Sequence, residues 1–297
     1  MNDTPSNAKI WLLASRPKTL PAAIAPVLIG VAIAYADGNV HVISTACALL
    51  GAILIQIGTN FANDYFDFVK GTDTPDRKGP TRATQAGLVS SSTMRAAFII
   101  TFALVLIPGA YIIYRGGWPF LAIGLLGIAS GILYTGGPYP LGYLGLGDVF
   151  VFVFFGPVAV AGTHYLNTLE WSMFAAVSGF GPGLISVALL TVNNLRDMDE
   201  DRVAGKMTLP ARFGRRFARL EYLTCIVAAA AVMPMYLYAA TGQRLFALVP
   251  LVVIPLASPS IRTVFTQTDG PALNGALGAT GRVLVVFAVV FAVAWTV

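Results

Sequence analysis

Two acidic clusters stand at the ends of apolar segments in a chain that otherwise avoids charge. The first reads Asn63-Asp64-Tyr65-Phe66-Asp67 and continues to Asp73 and Asp76. The second reads Asn193-Asn194-Leu195-Arg196-Asp197 and continues through Asp199, Glu200 and Asp201. Together they hold eight of the 14 carboxylates. Charge beside hydrocarbon is costly, so such a concentration needs a chemical reason. Asn63 and Asp67 are four residues apart, as are Asp197 and Asp201, and on a helix each pair shares a face. Asn60 and Asp64 repeat the spacing on an adjacent stripe. Oxygen donors of this kind suit Mg²⁺, which takes a few carboxylates and completes its shell with water and substrate phosphate. Asn63, Asp67, Asp197 and Asp201 are therefore the candidate metal ligands. Solvated helix ends paired with Arg196 and Arg202 would explain one such cluster. Two clusters at matched positions favour the metal.

Basic residues extend the pattern. Lys70, Arg77, Lys78 and Arg82 follow the first cluster, and Lys206 follows the second. Cations beside a divalent metal would stabilise a departing diphosphate, and Lys70, Arg77 and Lys206 are the candidates for that contact. Tyr65, Phe66, Phe68, Tyr134, Tyr139 and Tyr143 lie near the same end of the spans. Aromatic faces can stabilise a carbocation, although most of these rings also fit an interfacial belt. Tyr134 is singled out because it ends a span directly before a Gly- and Pro-rich stretch. His41 and His164 fall at the opposite ends of spans and read as interfacial. No Ser-His-Asp set, phosphate-binding P-loop or Cys/His metal spacing is present. Cys47 and Cys225 read as packing residues.

The elements that must carry these residues are membrane helices. Of the 297 residues 56% are hydrophobic and 11% charged, with a mean hydropathy of +0.73. Nine apolar stretches are long enough to span a bilayer: residues 20–36, 41–60, 96–114, 116–134, 149–169, 171–192, 222–241, 245–261 and 273–297. The connections are short, so one bundle over residues 1–297 is expected. Pro26, Pro157, Pro182 and Pro234 lie inside spans and should kink them. Residues 134–147 cannot form regular helix. With nine spans, 16 Lys and Arg residues fall on one side and two, Arg115 and Arg244, on the other, with Arg282 inside the last span. That asymmetry places the N-terminus and both acidic clusters in the cytoplasm and the C-terminus outside. A net charge of +5 follows from this bias and implies no nucleic acid. Arg282 calls for either snorkelling or a buried partner.

The motifs resemble those of the UbiA superfamily of intramembrane prenyltransferases, which has nine helices and two Asp-rich motifs around a central cavity. Here the first stands as NDYFDFVKGTD (63–73) and the second as DMDED (197–201). The family's third acid in the first motif would fall on Gly71, and Asp73 stands two residues further on. RPKTLPA (16–22), KGTDTPDRKGPTR (70–82), YTGGPYPLGYLGLGD (134–148) and NNLRDMDEDRVAGKMTLPARFG (193–214) are similar to the menaquinone branch, the 1,4-dihydroxy-2-naphthoate polyprenyltransferases. The resemblance implies a bacterial inner-membrane enzyme. It would join a polyprenyl diphosphate to 1,4-dihydroxy-2-naphthoate and release diphosphate and carbon dioxide. Asp64, Asp73 or Asp148 would then assist deprotonation of the acceptor. Two alternatives remain open at this point: a different aromatic or sugar-phosphate acceptor on the same scaffold, and a cation- or proton-coupled transporter. The second should carry its carboxylates near the bilayer midplane.

Overall fold

The computed structural model describes residues 6–72, 79 and 81–297, and among these there is no β-strand. The helices are α1 (Asn7–Ala14), α2 (Pro21–Ala36), α3 (Val42–Val69), α4 (Ser91–Leu104), α5 (Leu106–Gly116), α6 (Trp118–Leu133), α7 (Gly147–Phe154) and α8 (Pro157–Thr168). The chain continues with α9 (Met173–Ser178), α10 (Phe180–Val203), α11 (Leu209–Val227), α12 (Met233–Thr241), α13 (Val249–Thr266) and α14 (Gly270–Thr296). Seven continuous or gently broken segments are long and apolar enough to cross a membrane, and α1–α2, bent by 55°, makes eight. The protein is a multi-pass membrane protein. Each of the nine expected spans coincides with helix, but α6, with 16 residues, is short for a crossing by itself.

Local chemistry explains the breaks. Arg16 separates α1 from α2 in the left-handed region (φ 52°), and Pro17 starts the short 3-10 turn that leads into α2. Pro157 opens helix α8 after the non-helical Gly156, where a missing N–H costs nothing, whereas Pro234 lies in helix that continues from α11. A single π-helical stretch, Ala228–Val232, precedes Pro234 and absorbs the bend. Pro26 lies inside α2, and Pro255 and Pro259 lie inside α13. The 134–147 stretch is a succession of turns, as its composition requires.

In hydrocarbon, helices gain little from hydrophobic contact and rely on close packing at small residues. Gly30 of α2 sits where a Cβ would come within 2.7 Å of Thr163 and Val160 on α8. Gly58 of α3 similarly receives the Phe102 ring, and Gly181 of α10 receives Phe287 of α14. Two packed cores result. One gathers Ile29, Ile33, Ile185, Tyr222, Leu284 and Phe287 from α2, α10, α11 and α14. The other gathers Phe61, Met94, Phe98 and Phe102 from α3 and α4. The functional cavity borders both.

Cys47 and Cys225 are unbonded. Arg282 is exposed on α14, which favours snorkelling over a buried partner. His164 is buried against Asp37 (Nε2 to Oδ2, 2.8 Å), and His41 caps α3 by accepting from the Ser44 N–H. Asp67 stands 26 residues along α3 from its His41 cap, about 40 Å at helical rise. The histidines and the acidic clusters are thus at opposite ends of the bundle.

Candidate active site

A cavity of about 540 Å³ reaches into the bundle between α2, α3, α5, α6, α7, α8 and α10. Its polar end is built from two long helices. On α3 the stripe Asn60, Asn63 and Asp67 faces the cavity. Spacings of three and four keep these three in line along one side of the helix. On α10, Asn193, Asn194 and Asp197 do the same. Both Asp-bearing segments stay helical through their polar residues, α3 to Val69 and α10 to Val203, so the carboxylates project from rigid rods. Arg16, Arg82, Tyr134, Thr135 and Lys206 complete this end. The remainder is apolar, walled by residues such as Ile55, Ile112, Leu125, Phe150 and Phe154.

The carboxylates are nearly dry. Asp67 is 1% exposed and Asp197 3%. Asp67 Oδ2 accepts from Arg82 Nη2 at 2.8 Å, while its Oδ1 is buried with no hydrogen-bond donor among the described residues. Asp197 is held bidentately by Arg196, through Nε and Nη2 at 2.7 Å each. Asn63 Oδ1 accepts from Thr135 Oγ1 at 2.9 Å. Asp201 does not reach the cavity wall. It turns to Lys206 (3.6 Å) and Thr208 (3.5 Å). Lys206 is where the two motifs meet electrostatically. Burial works against its charge, yet Asp67, Asp201, Tyr134 and Asp197 together hold it above the ordinary lysine range. It is therefore an ammonium locked between both acidic clusters.

Other sequence candidates lie off the wall. Asp64 accepts the backbone N–H groups of Ala83 (3.0 Å) and Thr84 (3.1 Å), which fastens the segment bearing Arg82. Asp64 is absent from the cavity lining, although it was a candidate base by sequence. Lys70 donates to the carbonyls of Thr135 (2.6 Å) and Gly137 (3.2 Å), and its ammonium lies 4.8 Å from the Tyr143 ring centroid. It clamps the 135–137 turn rather than facing the cavity, contrary to the expected phosphate contact. Burial lowers its pKa, with Asp67 opposing. Asp148 is buried at the start of α7, with Oδ1 lacking a partner. Asp73 and Arg77 lie outside the described residues.

Tyr134 borders the cavity, and its hydroxyl is buried without a hydrogen-bond partner among the described residues. Gly147 makes room for it, since a Cβ there would lie 2.9 Å from the phenol oxygen. Arg16 and Thr135 were not singled out from sequence, and Asn193, Asn194 and Arg196 entered only as neighbours of Asp197 in the second motif. Arg16 sits in the RPKT string and Arg196 directly precedes Asp197, so adjacency to the motifs was the available signal.

The donor set can hold a divalent cation. Among the described residues no three His, Cys, Asp or Glu side chains are grouped closely enough to do so by themselves. Asp67 Oδ1, the Asn63 amide from α3 and Asp197 from α10 supply hard oxygen atoms to the polar end of the cavity. That is the sparse protein contribution Mg²⁺ accepts when phosphate and water complete its shell.

Relatives fit this geometry. The family model described as "UbiA prenyltransferase family" matches residues 23–277. A 1,4-dihydroxy-2-naphthoate octaprenyltransferase of Escherichia coli is 37% identical over 284 residues, covering 93% of this chain and 91% of its own. A protein of the same name from Mycobacterium tuberculosis is also 37% identical, over 95% of both chains. A UbiA homolog from Archaeoglobus fulgidus, solved bound to GPP and Mg²⁺, superposes with a TM-score of 0.69 over 97% of this chain and all of its own, at 14% identity. That last likeness concerns the fold, whereas the sequence matches reach through both acidic helices and the loops that close on them. The chain belongs to the UbiA prenyltransferase family.

Proposed function

We propose that this protein transfers a polyprenyl group from polyprenyl diphosphate to 1,4-dihydroxy-2-naphthoate, with loss of diphosphate and carbon dioxide, giving a demethylmenaquinol, the reduced form of a demethylmenaquinone. The observation that carries the reading is a cavity with one charged end and a long apolar remainder. Such a shape suits a substrate with a diphosphate head and an isoprenoid tail. The names of the bacterial relatives support the acceptor.

In this reading Asn63, Asp67 and Asp197 would hold Mg²⁺, which supplies Lewis-acid neutralisation of the diphosphate when bound, and Asp201, the fourth candidate, would join them only by turning from Lys206 and Thr208. Lys206 binds the diphosphate and offsets charge as the allylic C–O bond breaks. Arg82, already at the wall, is better placed for that work than Lys70, while Arg77 retains the role expected of it. The allylic cation needs shelter from water. The apolar walls provide it, with the Tyr134 face at the charged end. The electron-rich naphthoate carbon attacks the cation. Of the candidate bases, Asp148 is buried with an unoccupied oxygen, Asp64 is engaged by amides, and Asp73 stays a candidate by sequence. Leu106, Leu121 and Leu125 border the cavity and are exposed, which supports lateral passage of the tail between α5 and α6.

On nine spans, the Lys and Arg asymmetry supports a charged end facing the cytoplasm of a bacterial inner membrane and a C-terminus outside, and the short connections support one catalytic domain over residues 1–297. Both acidic motifs gather at one end of the bundle, which argues against a transporter with midplane carboxylates. The test is product mass spectrometry with purified protein, Mg²⁺, 1,4-dihydroxy-2-naphthoate and a short prenyl diphosphate. A prenylated, decarboxylated naphthalenediol is expected. Prenyl diphosphate turnover only with another acceptor would overturn the substrate assignment.

A further inference from the structure

Arg282 is the feature the reaction leaves unexplained. It lies in α14, a 27-residue helix with no carboxylate inside it and a mean window hydropathy of 2.2. The side chain is exposed, and among the described residues it has neither ion pair nor hydrogen bond. An unpaired guanidinium on a lipid-facing surface is costly unless it reaches a polar partner.

A second cation lies beside it. Lys18 is exposed, and its aliphatic stem crosses α14 at Gly278, where a Cβ would lie 3.4 Å from the lysine Cδ. Its ammonium donates to the carbonyl of Asn274 at 3.1 Å, leaving further N–H donors for another acceptor. Arg282 is four residues beyond Gly278 and so lies on the same face, about 6 Å along the axis. Helical side chains lean toward the N-terminus, and a long arginine in lipid snorkels toward the polar boundary. Both tendencies carry the guanidinium back toward Gly278 and Lys18. The surface between them is made of small residues, Gly275, Gly278 and Ala279. This is room for an anion at the bilayer boundary, with no protein carboxylate on the helix to neutralise the two cations.

The patch also connects inward. The Asn274 side chain accepts from Arg196 Nη1 at 2.6 Å, and Arg196 grips Asp197 bidentately. One residue thus receives Lys18 on its carbonyl and orients Arg196 with its amide. We propose that Lys18 and Arg282 bind the phosphate of an anionic phospholipid headgroup on the outer face of α14, and that Asn274 and Arg196 couple this site to Asp197.

The test uses the full-length protein in nanodiscs of phosphatidylcholine alone or of equal parts phosphatidylcholine and phosphatidylglycerol. Native mass spectrometry should show phosphatidylglycerol retained by the wild type, and retention should weaken about fivefold in Arg282→Gln and in Lys18→Gln. Equal retention by wild type and both variants overturns the site. This measurement needs no substrate, so its failure is distinct from failure of the proposed reaction. In turnover, the wild type should be faster with phosphatidylglycerol, and Arg282→Gln should run at the wild-type phosphatidylcholine rate in both discs. Retention without a lipid-dependent rate overturns the coupling. If inorganic phosphate in phosphatidylcholine discs reproduces the stimulation, the headgroup assignment is wrong.

Discussion

Replacing Asp67 by Asn removes one charge from the cavity wall while keeping the shape of the side chain. The structure separates two consequences. Asp67 and Arg82 are a buried pair, with side chains 2% and 6% exposed. The amide can still accept from Arg82, but the bond is no longer between opposite charges. Hydrogen bonds to charged groups contribute about 1.5–3 kcal/mol, roughly twice the neutral kind. Stability should therefore fall by about 1 kcal/mol. The effect on chemistry should be larger, because the free Oδ1 also loses its charge where diphosphate is to be held. Removing one main electrostatic stabiliser costs about a hundredfold or more in turnover, at least about 2.7 kcal/mol. The assay pairs detergent-solubilised thermal unfolding with single-turnover prenyl transfer. Asp67→Asn combined with Arg82→Gln should recover part of the stability lost by the single change, since a buried guanidinium no longer faces an amide in place of its carboxylate, yet stay inactive. Near-wild-type turnover in Asp67→Asn, or turnover restored by the double change, would refute the reasoning.

Lys206→Ala should weaken prenyl diphosphate binding and slow ionisation, while the apparent affinity for the naphthoate changes little. Steady-state kinetics with each substrate varied in turn will show it, and an acceptor-only defect would move Lys206 to the naphthoate. Gly147→Ala should displace the Tyr134 ring, because the new methyl would lie 2.9 Å from its hydroxyl. Overpacking of this kind costs about 1–3 kcal/mol, and turnover unchanged from wild type would remove Tyr134 from the mechanism. Thr72→Cys, in a background lacking Cys47 and Cys225, should react with an impermeant thiol reagent from the cytoplasmic side only, and labelling from outside intact cells would invert the topology.

The membrane class, the helices and the two acidic motifs were legible in the sequence because each depends on local facts. Apolar runs of bilayer length become helices whatever they later pack against. Spacings of three and four put Asn63 and Asp67 on one face before any neighbour is known. What each polar side chain touches is a different kind of fact. Asp64 and Asp67 are three residues apart in one string, yet one serves backbone amides and the other lines the cavity. Lys70 and Lys206 read alike as cations after an acidic cluster, but Lys70 clamps a turn 65 residues away and Lys206 sits between the two motifs. Tyr134 has its place because Gly147 leaves room for it. These assignments depend on how α3, α6, α7 and α10 approach one another, and that approach is set by close packing at glycines and by burial of charge. Composition and spacing determined which residues could do the chemistry. The tertiary structure decided which of them face the same space, because electrostatic and hydrogen-bond partners are chosen by distance across the bundle and not by position along the chain.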